Sequence, residues 1–284
     1  MTVTHTPAPQ AHAARATAPH DARTLAPPVP DCGVPLDHRR AVVIGASSGI
    51  GAAIARQLVH EGYRVAAIAR RRDRLDDLSR ACAPLAASND GRLFTHVHDV
   101  RDVSAIPALL ETIARELGGL HLLVYAAAIM FETGRDEYDT AKDLDQIAVN
   151  LAGCVAWCNA VAGLFRTQRD GTIVGISSIS GDRGRKGNPA YCTTKAAMNT
   201  YLEALRNRLA EANVHVCTIK PGYVDTAMTA GKKTFWLISA EEAAGRTLAA
   251  ARSRANVRYV PRRWWLVGAI IRAVPSFLFR HLNV

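Results

Sequence analysis

The chain has 284 residues, 49% of them hydrophobic and 21% charged, with a formal net charge of +10. That length can bury one large core or two small ones, and a single domain of about 240 residues with a tail fits best. The six cysteines (Cys32, Cys82, Cys154, Cys158, Cys192, Cys217) are scattered along the chain, which excludes a disulfide framework and paired metal-ligand motifs and points to a reducing, cytoplasmic compartment.

Residues 1–38 are rich in Ala, Pro, His and Thr and lack apolar periodicity, so they are expected to form a disordered tail. They contain no apolar stretch of the signal-peptide kind, and secretion is not expected. A folded domain is expected over residues 39–260. It opens on the apolar run Ala41-Val42-Val43-Ile44, a short buried strand, followed by Gly45-Ala46-Ser47-Ser48-Gly49-Ile50-Gly51 and a helical pattern through Ala53, Ile54, Leu58 and Val59. Gly45 allows a tight turn, Gly49 the close approach of a pyrophosphate, and Gly51 close packing of helix on sheet. Ser47, Ser48 and Ile50 lie in the same cradle, where the helix start turns free N–H groups toward phosphates. A glycine turn alone is weak, but strand, glycines and helix in this order form a strong dinucleotide signal.

A second strand, residues 64–69, runs into Arg70-Arg71-Arg72. An acidic residue at this strand end would hold the ribose hydroxyls of NAD. Arginine suits a 2′-phosphate instead, so NADPH is expected rather than NADH, with Arg70 the first candidate and Arg71 the second. The competing reading is a solvated basic helix start, which gains nothing from the helix dipole. A helix over residues 74–83 and a third strand over 93–98 follow. Asp99 and Val100 close that strand. Asp99 either accepts from an adenine amino group or caps a helix beginning near Asp102. His96 and His98 share one strand face without a third ligand, so no metal is expected.

The fourth strand, residues 120–125, ends in Ala126-Ala127-Ala128, whose small side chains let the backbone approach the cofactor's ribose. One long amphipathic helix is expected over residues 141–168. It contains Asn150, which in an apolar stretch needs hydrogen bonds to the helix or to a buried water. Residues 172–176 form a fifth strand ending at Ser177-Ser178. Thirteen positions after Ser178 comes Tyr191, and Lys195 stands one helical turn beyond it, on a helix reaching about residue 211. Serine and tyrosine hydroxyls converging from strand end and helix start make a two-donor clamp for one carbonyl oxygen. A phenol with a pKa of about 10 is a poor acid, and a neighbouring ammonium is expected to lower that value. Alone, the Tyr-x-x-x-Lys pair fits an ordinary amphipathic helix equally well. A sixth strand, residues 214–219, delivers Pro221-Gly222-Tyr223-Val224-Asp225-Thr226 to the same edge. Strands alternating with helices predict an α/β fold: a single Rossmann-type doubly wound parallel sheet with helices on both faces and ligands beyond the strands' C-terminal ends.

Taken together, the glycine turn, Asp99, Asn150, Ser178, Tyr191, Lys195 and Pro221-Gly222, in that order over residues 40–260, resemble the short-chain dehydrogenase/reductase family. The resemblance implies that the serine orients a carbonyl and the tyrosine gives the proton. The lysine would hold the nicotinamide ribose and tune the tyrosine, and the asparagine would support a water relay. Those roles fall on Ser178, Tyr191, Lys195 and Asn150. Cofactor contacts are implied at Gly45, Ser47, Ser48, Gly49, Ile50, Gly51, Arg70, Arg71, Asp99, Val100, Ala126, Ala127, Tyr191, Lys195, Pro221, Gly222, Val224 and Thr226. Two departures stand out: Ile44 where the family usually has threonine, and Tyr125-Ala126-Ala127-Ala128 in place of Asn-Asn-Ala-Gly. They bear on the support of the cofactor pocket. A homodimer or homotetramer is implied by the resemblance. A narrower likeness, carried by residues 177–191, Arg206-Asn207-Arg208-Leu209, Met228-Thr229 and the C-terminal end, is to reductases of decaprenylphosphoryl-2-keto-erythro-pentose and of surface-polysaccharide assembly. It implies a carbonyl substrate that is a small molecule or a lipid-phosphate-linked keto-sugar. Arg183, Arg185, Lys232 and Lys233 are candidates for its phosphate, or else simply solvated loop charges. A general soluble reductase of small ketones, steroids or acyl chains is the competing enzymatic reading. A dinucleotide-binding sensor that has lost its chemistry is the other, and it would need none of Ser178, Tyr191 and Lys195.

From Ala243 to the end there are eight arginines and no acid. Such a basic end suggests an anionic partner, but no recognition motif supports nucleic acid. Residues 261–284 form a basic, apolar extension in which Trp264-Trp265-Leu266-Val267-Gly268-Ala269-Ile270-Ile271 falls short of the roughly 20 residues that span a bilayer. Three readings stand open for it: a lid over the cleft, a subunit contact, or a helix lying at an anionic membrane face. The last would place the chain at the inner face of the cell membrane.

Overall fold

Apolar runs without polar alternation belong in strands covered on both faces, and the computed structural model places them so. It describes residues 34–86, 90–134, 136–231 and 234–282. Seven parallel strands, β1 (Arg40–Ile44), β2 (Arg64–Ala69), β3 (Arg92–Val97), β4 (Leu122–Tyr125), β5 (Thr172–Ile176), β6 (His215–Pro221) and β7 (Val257–Val260), lie in the order β3-β2-β1-β4-β5-β6-β7. Alternate residues of β1 feed opposite cores. Ala41 and Val43 pack with α1 (Gly49–His60), α2 (Arg72–Ala86) and α7 (Ala240–Arg252). Val42 and Ile44 pack with α3 (Ile106–Leu117), α5 (Gly153–Gln168) and α6 (Pro189–Leu209). The strand order reverses between β1 and β4, where Ile44 pairs with Tyr125. A crevice opens beyond the C-terminal ends of strands at such a point.

Local signals account for most boundaries. Asp102 accepts from the Ala105 N–H and so caps the 3-10 turn leading into α3, while Gly118, at φ +73°, ends that helix. Ser239 caps α7 through the Glu242 N–H. The disordered tail expected over residues 1–38 falls mostly outside the described residues; within it, Leu36–His38 forms a turn of 3-10 helix. The second helix begins two residues before the expected start and carries Pro84 in its last turn.

The single helix expected over residues 141–168 is instead α4 (Thr140–Ile147), a π-helical turn (Ala148–Ala152) and α5. The physical reason is on the neighbouring strand. Fully buried Tyr125 donates its hydroxyl proton to the Val149 carbonyl at 2.5 Å. The ring reaches that far because residue 153 is glycine: a Cβ there would stand 2.6 Å from the tyrosine oxygen. A π turn is a common form for helix distorted at a functional site. The whole stretch is long and apolar enough to cross a membrane by length and composition, yet Trp157, Val161 and Phe165 are completely buried in the core.

The C-terminal extension continues past β7 as α8 (Trp264–Ala273) and α9 (Ser276–Phe279). It is fastened to the 3-10 turn Ile179–Asp182 that follows Ser178. The Asp182 side chain is 2% exposed and accepts from Lys220 Nζ at 2.6 Å, the Tyr259 hydroxyl at 2.7 Å and Arg272 Nη1 at 2.9 Å. Gly268 of α8 lies so near that a Cβ would meet the carboxylate at 2.6 Å. Arg183 donates to the carbonyls of Ile271 and Val274 and covers the Phe279 ring at 4.1 Å. Removing one partner from a buried charge cluster strands the others. Asp182→Ala should therefore destabilise the fold by about 3 kcal/mol, read as a lowered midpoint in urea unfolding. A midpoint equal to that of the parent would show that the carboxylate does not hold the extension.

Candidate active site

The crevice at the sheet's C-terminal edge is a cleft of about 540 Å³, within the range that holds a ligand. Its floor is the glycine turn. Gly45 (φ +86°) and Gly49 (φ +54°) adopt left-handed backbone, which glycine alone takes without strain. A Cβ on Gly45 would sit 2.5 Å from the Ala127 nitrogen, so the turn after β1 and the end of β4 touch backbone to backbone. Ser48 precedes α1 without a side-chain cap, which leaves the first N–H groups of the helix to the cleft. This is the donor set that an anionic pyrophosphate requires.

At one end stand two guanidinium groups. Arg71 donates to the hydroxyls of Ser47 at 2.8 Å and Ser48 at 3.0 Å. Arg70 lies 3.7 Å from the Asp99 carboxylate. The residue before them is buried Ala69, so β2 offers no acid to a ribose. Asp99 departs from expectation. It binds Arg101 through both oxygens and does not line the cleft, whereas Val100 does. The helix cap is Asp102 instead. Hydrogen bonds from Arg101, opposed by partial burial, hold the Asp99 carboxyl below its ordinary range.

At the other end Ser178, Tyr191 and Lys195 converge on the cleft. Ser178 accepts from the Ser180 N–H at 3.0 Å, which orients a hydroxyl that still has its proton to donate. Lys195, almost wholly buried, donates from Nζ to the Ile176 carbonyl at 2.9 Å and stands 5.6 Å from the centre of the Tyr191 ring. Gly181 packs against the Lys195 backbone, where a Cβ would approach to 2.6 Å, and Ser177 donates to the Lys195 carbonyl. These two contacts lock the serine loop onto the lysine's turn of helix.

Electrostatically the pair differs from the expectation of an acidified phenol. Burial pushes Tyr191 up to about 12, against smaller opposing effects from the Ser178 hydrogen bond and the Arg185 charge. Burial likewise pulls Lys195 down to about 8. Desolvation outweighs the attraction of an ammonium that is already bonded to a backbone carbonyl.

Asn150 is fully buried in the π turn. Its Oδ1 accepts from the Ile129 N–H at 2.8 Å, and its Nδ2 donates to the Ile129 carbonyl and to Thr194 Oγ1. These partners lie outside its own helix: the side chain ties the wall after β4 to α6, one residue from Lys195. This is a positioning role. Thr194 was not legible as part of it beforehand.

Gly45, Ser47, Ser48, Gly49, Ile50, Gly51, Arg70, Arg71, Val100, Ala126, Ala127, Pro221, Gly222, Val224 and Thr226 all line the cleft. The segment after β6 closes against the glycine turn, with Thr226 Cγ2 at 3.0 Å from where a Gly49 Cβ would lie. Ile129, Met130, Phe131 and Met228 also line it; the apolar residues after β4 carry no motif that would mark them in the sequence. Arg183, a phosphate candidate by sequence, is engaged by α8 and α9. Lys232 and Lys233 lie outside the described residues. His96 pairs with Glu116 at 2.8 Å and His98 packs edge-on to Trp157. At the opposite edge of the sheet His38 and His121 stack at 4.4 Å, with His38 Nδ1 3.5 Å from Asp170. Parallel rings do not converge their lone pairs on one ion, so this trio reads as a stacked pair beside a carboxylate.

Residues 39–235 match the family described as short chain dehydrogenase. An uncharacterised oxidoreductase of Staphylococcus saprophyticus is 33% identical over 196 residues, 69% of this chain and 82% of its own. One from Staphylococcus aureus is 32% identical over 195 residues, with the same shares. A solved short-chain type dehydrogenase/reductase from Mycobacterium marinum superposes with a TM-score of 0.68 at 25% identity, covering 76% of this chain and 90% of that one. The family implies a nicotinamide dinucleotide cofactor, NAD or NADP, and the glycine turn, the open helix start and the small residues at the end of β4 are the donors and the space that such a group requires. With Ser178, Tyr191 and Lys195 gathered at one end of that cleft, the chain is an oxidoreductase belonging to the short-chain dehydrogenase/reductase family.

Proposed function

We propose that this protein is an NADPH-dependent carbonyl reductase whose substrate is a keto-sugar carried on a lipid phosphate. The observation that carries the reading is the shape of one cleft, basic at one end and armed with serine, tyrosine and lysine at the other. The glycine turn and the start of α1 would hold the pyrophosphate. Arg70 and Arg71, with no acid on β2, favour a 2′-phosphate. Lys195 would bond the nicotinamide ribose. When bound, the cofactor supplies a hydride to the carbonyl carbon.

The protein's part is the oxygen. Ser178 donates a hydrogen bond to it, and Tyr191 gives it a proton as negative charge develops. A phenol near 12 is fully protonated at neutral pH, which is the form that reduction consumes. Lys195 below about pH 8 is an ammonium and stabilises the phenolate left behind until a proton from solvent restores it. Alcohol oxidation needs the phenolate from the start and is favoured as pH rises.

The lipid-linked substrate is supported by the likeness of residues 177–191 and of the C-terminal end to reductases of polyprenyl-phosphate keto-pentoses. Ile129, Met130, Phe131 and Met228 give the cleft the apolar wall that such a substrate requires. Arg185 opposes the rise in the Tyr191 pKa through its charge, and remains the candidate for the substrate's phosphate.

Three outcomes are expected. Tyr191→Phe should lower kcat for ketone reduction by roughly 10²–10⁴-fold, with NADPH still quenching protein fluorescence at the parent concentration; unchanged turnover would sink the mechanism. Arg70→Ala combined with Arg71→Ala should raise the Kd for NADPH about tenfold or more while leaving NADH unaffected, since only the former carries the charge that the guanidiniums meet. Equal losses for both would remove the 2′-phosphate assignment. In the pH profile of kcat/KM, which reports groups of the free enzyme, reduction should decline above about pH 8 as Lys195 loses its proton. A profile flat to pH 10 would show that the ammonium is not required.

A further inference from the structure

We infer that the outward face of α8 and α9, together with Phe235-Trp236-Leu237, is a docking surface for an anionic lipid bilayer, set beside the mouth of the cleft. The inner side of α8 is occupied: Trp264 and Gly268 are buried, and Arg272 reaches Asp182. Its other side presents Trp265, Leu266 and Ile270, neighbours on a 3.6-residue period. Trp265 is 59% exposed and Phe277 of α9 is 62% exposed. Leu278 and Leu282 continue the exposed apolar residues to the end of the described chain.

A second segment joins them. Phe235 (53% exposed), Trp236 and Leu237 form an exposed apolar run. Phe235 and Trp236 pack on Trp264 at 5.1 and 5.7 Å, and Phe235 also meets Tyr223 at 5.6 Å. Trp264 in turn lies over Gly222, which lines the cleft; a Cβ there would be 2.0 Å from the indole. The aromatic cluster thus connects the exposed face to the wall of the active site.

Charge selects the occupant. Arg262 and Arg263 are exposed at the start of α8 and make no ion pair among the described residues, and Arg263 lies over the Trp236 ring at 4.9 Å. Arg280 stands at the end of α9. No acid occurs after Glu242. Tryptophan at the level of headgroups, flanked by arginine, fits an interfacial helix on an anionic leaflet. Ten residues of α8 give a rise of only about 15 Å, so the helix lies on a bilayer and does not cross it. A second copy of this chain would bring the same arginines against one another, which disfavours a self-complementary contact. Docking by this face would bring the cleft mouth to the lipid surface, where a substrate on a lipid phosphate resides; the inference rests on the lipid-linked reading for that purpose and on the surface itself for the contact.

The test is co-sedimentation of the full-length protein with vesicles of equimolar phosphatidylglycerol and phosphatidylcholine, beside vesicles of phosphatidylcholine alone. Analytical ultracentrifugation and reduction of a water-soluble ketone are measured on the same samples. The parent should pellet with the anionic vesicles and not with the neutral ones. Trp265→Ser combined with Phe277→Ser should weaken that binding roughly tenfold or more, with soluble-ketone turnover unchanged. Failure of the parent to bind anionic vesicles would overturn the inference. So would a parent dimer that the double variant converts to monomer without any vesicle binding, because the face would then be a subunit contact. Since sedimentation does not depend on turnover, loss of the docking surface and loss of the lipid-linked substrate would be seen separately.

Discussion

A parallel strand can satisfy its backbone only through neighbours on both edges, and in this sheet the helices cover both faces as well. Val42, Val43, Ile44, Val65, Ile68, Leu123 and Val124 are consequently shut away from solvent. Such an interior has no place for chemistry. Groups that are to meet a ligand must stand where the hydrogen-bonded ladder stops. The C-terminal edge is that place, and the glycine turn, the alanines after β4, the serine pair after β5 and the segment after β6 all reach it.

Two groups of the candidate site nevertheless lie inside the protein, and each is hydrogen-bonded there. Asn150 uses both ends of its amide on Ile129 and Thr194. Lys195 is anchored on the Ile176 carbonyl. An unpaired amide or ammonium at these positions would be strongly unfavourable. The same burial sets the protonation states: it raises the phenol and lowers the ammonium, so two groups of nearly equal proton affinity in water are driven apart. The phenol is thereby kept protonated at neutral pH, while the lysine is the group that releases its proton first as pH rises.

The extension beyond β7 turns out to be a brace for the serine loop. Asp182 and Arg183 follow Ser178 by four and five residues, and between them they bind β6, β7, α8 and α9. The inner side of the extension thus supports the turn that presents Ser178, and its outer side is left apolar and cationic. The Asp182 carboxylate fastens the extension at its root.

Periodicity and turn chemistry act over a few residues, and whatever depends on them could be read directly from the chain. That includes the α/β alternation, the glycine turn, the arginines after β2, and Tyr191 one helical turn before Lys195. Boundaries were legible to within a few residues for the same reason. Contacts between distant segments left no such trace. Nothing local to residues 141–168 reveals that a tyrosine on β4 will pull Val149 into a π turn, or that Gly153 exists to admit its hydroxyl. Nothing near Asp99 shows that Arg101 will take its carboxylate, nor anything near Asp182 that two cations and a hydroxyl from later in the chain will enclose it. The phenol's affinity for its proton belongs to the same class, because desolvation is a property of everything packed around a group and not of its neighbours in sequence. Residue types and their short spacings therefore set the fold and the chemical repertoire, and the three-dimensional packing set which groups are buried, which are engaged, and where the protons rest.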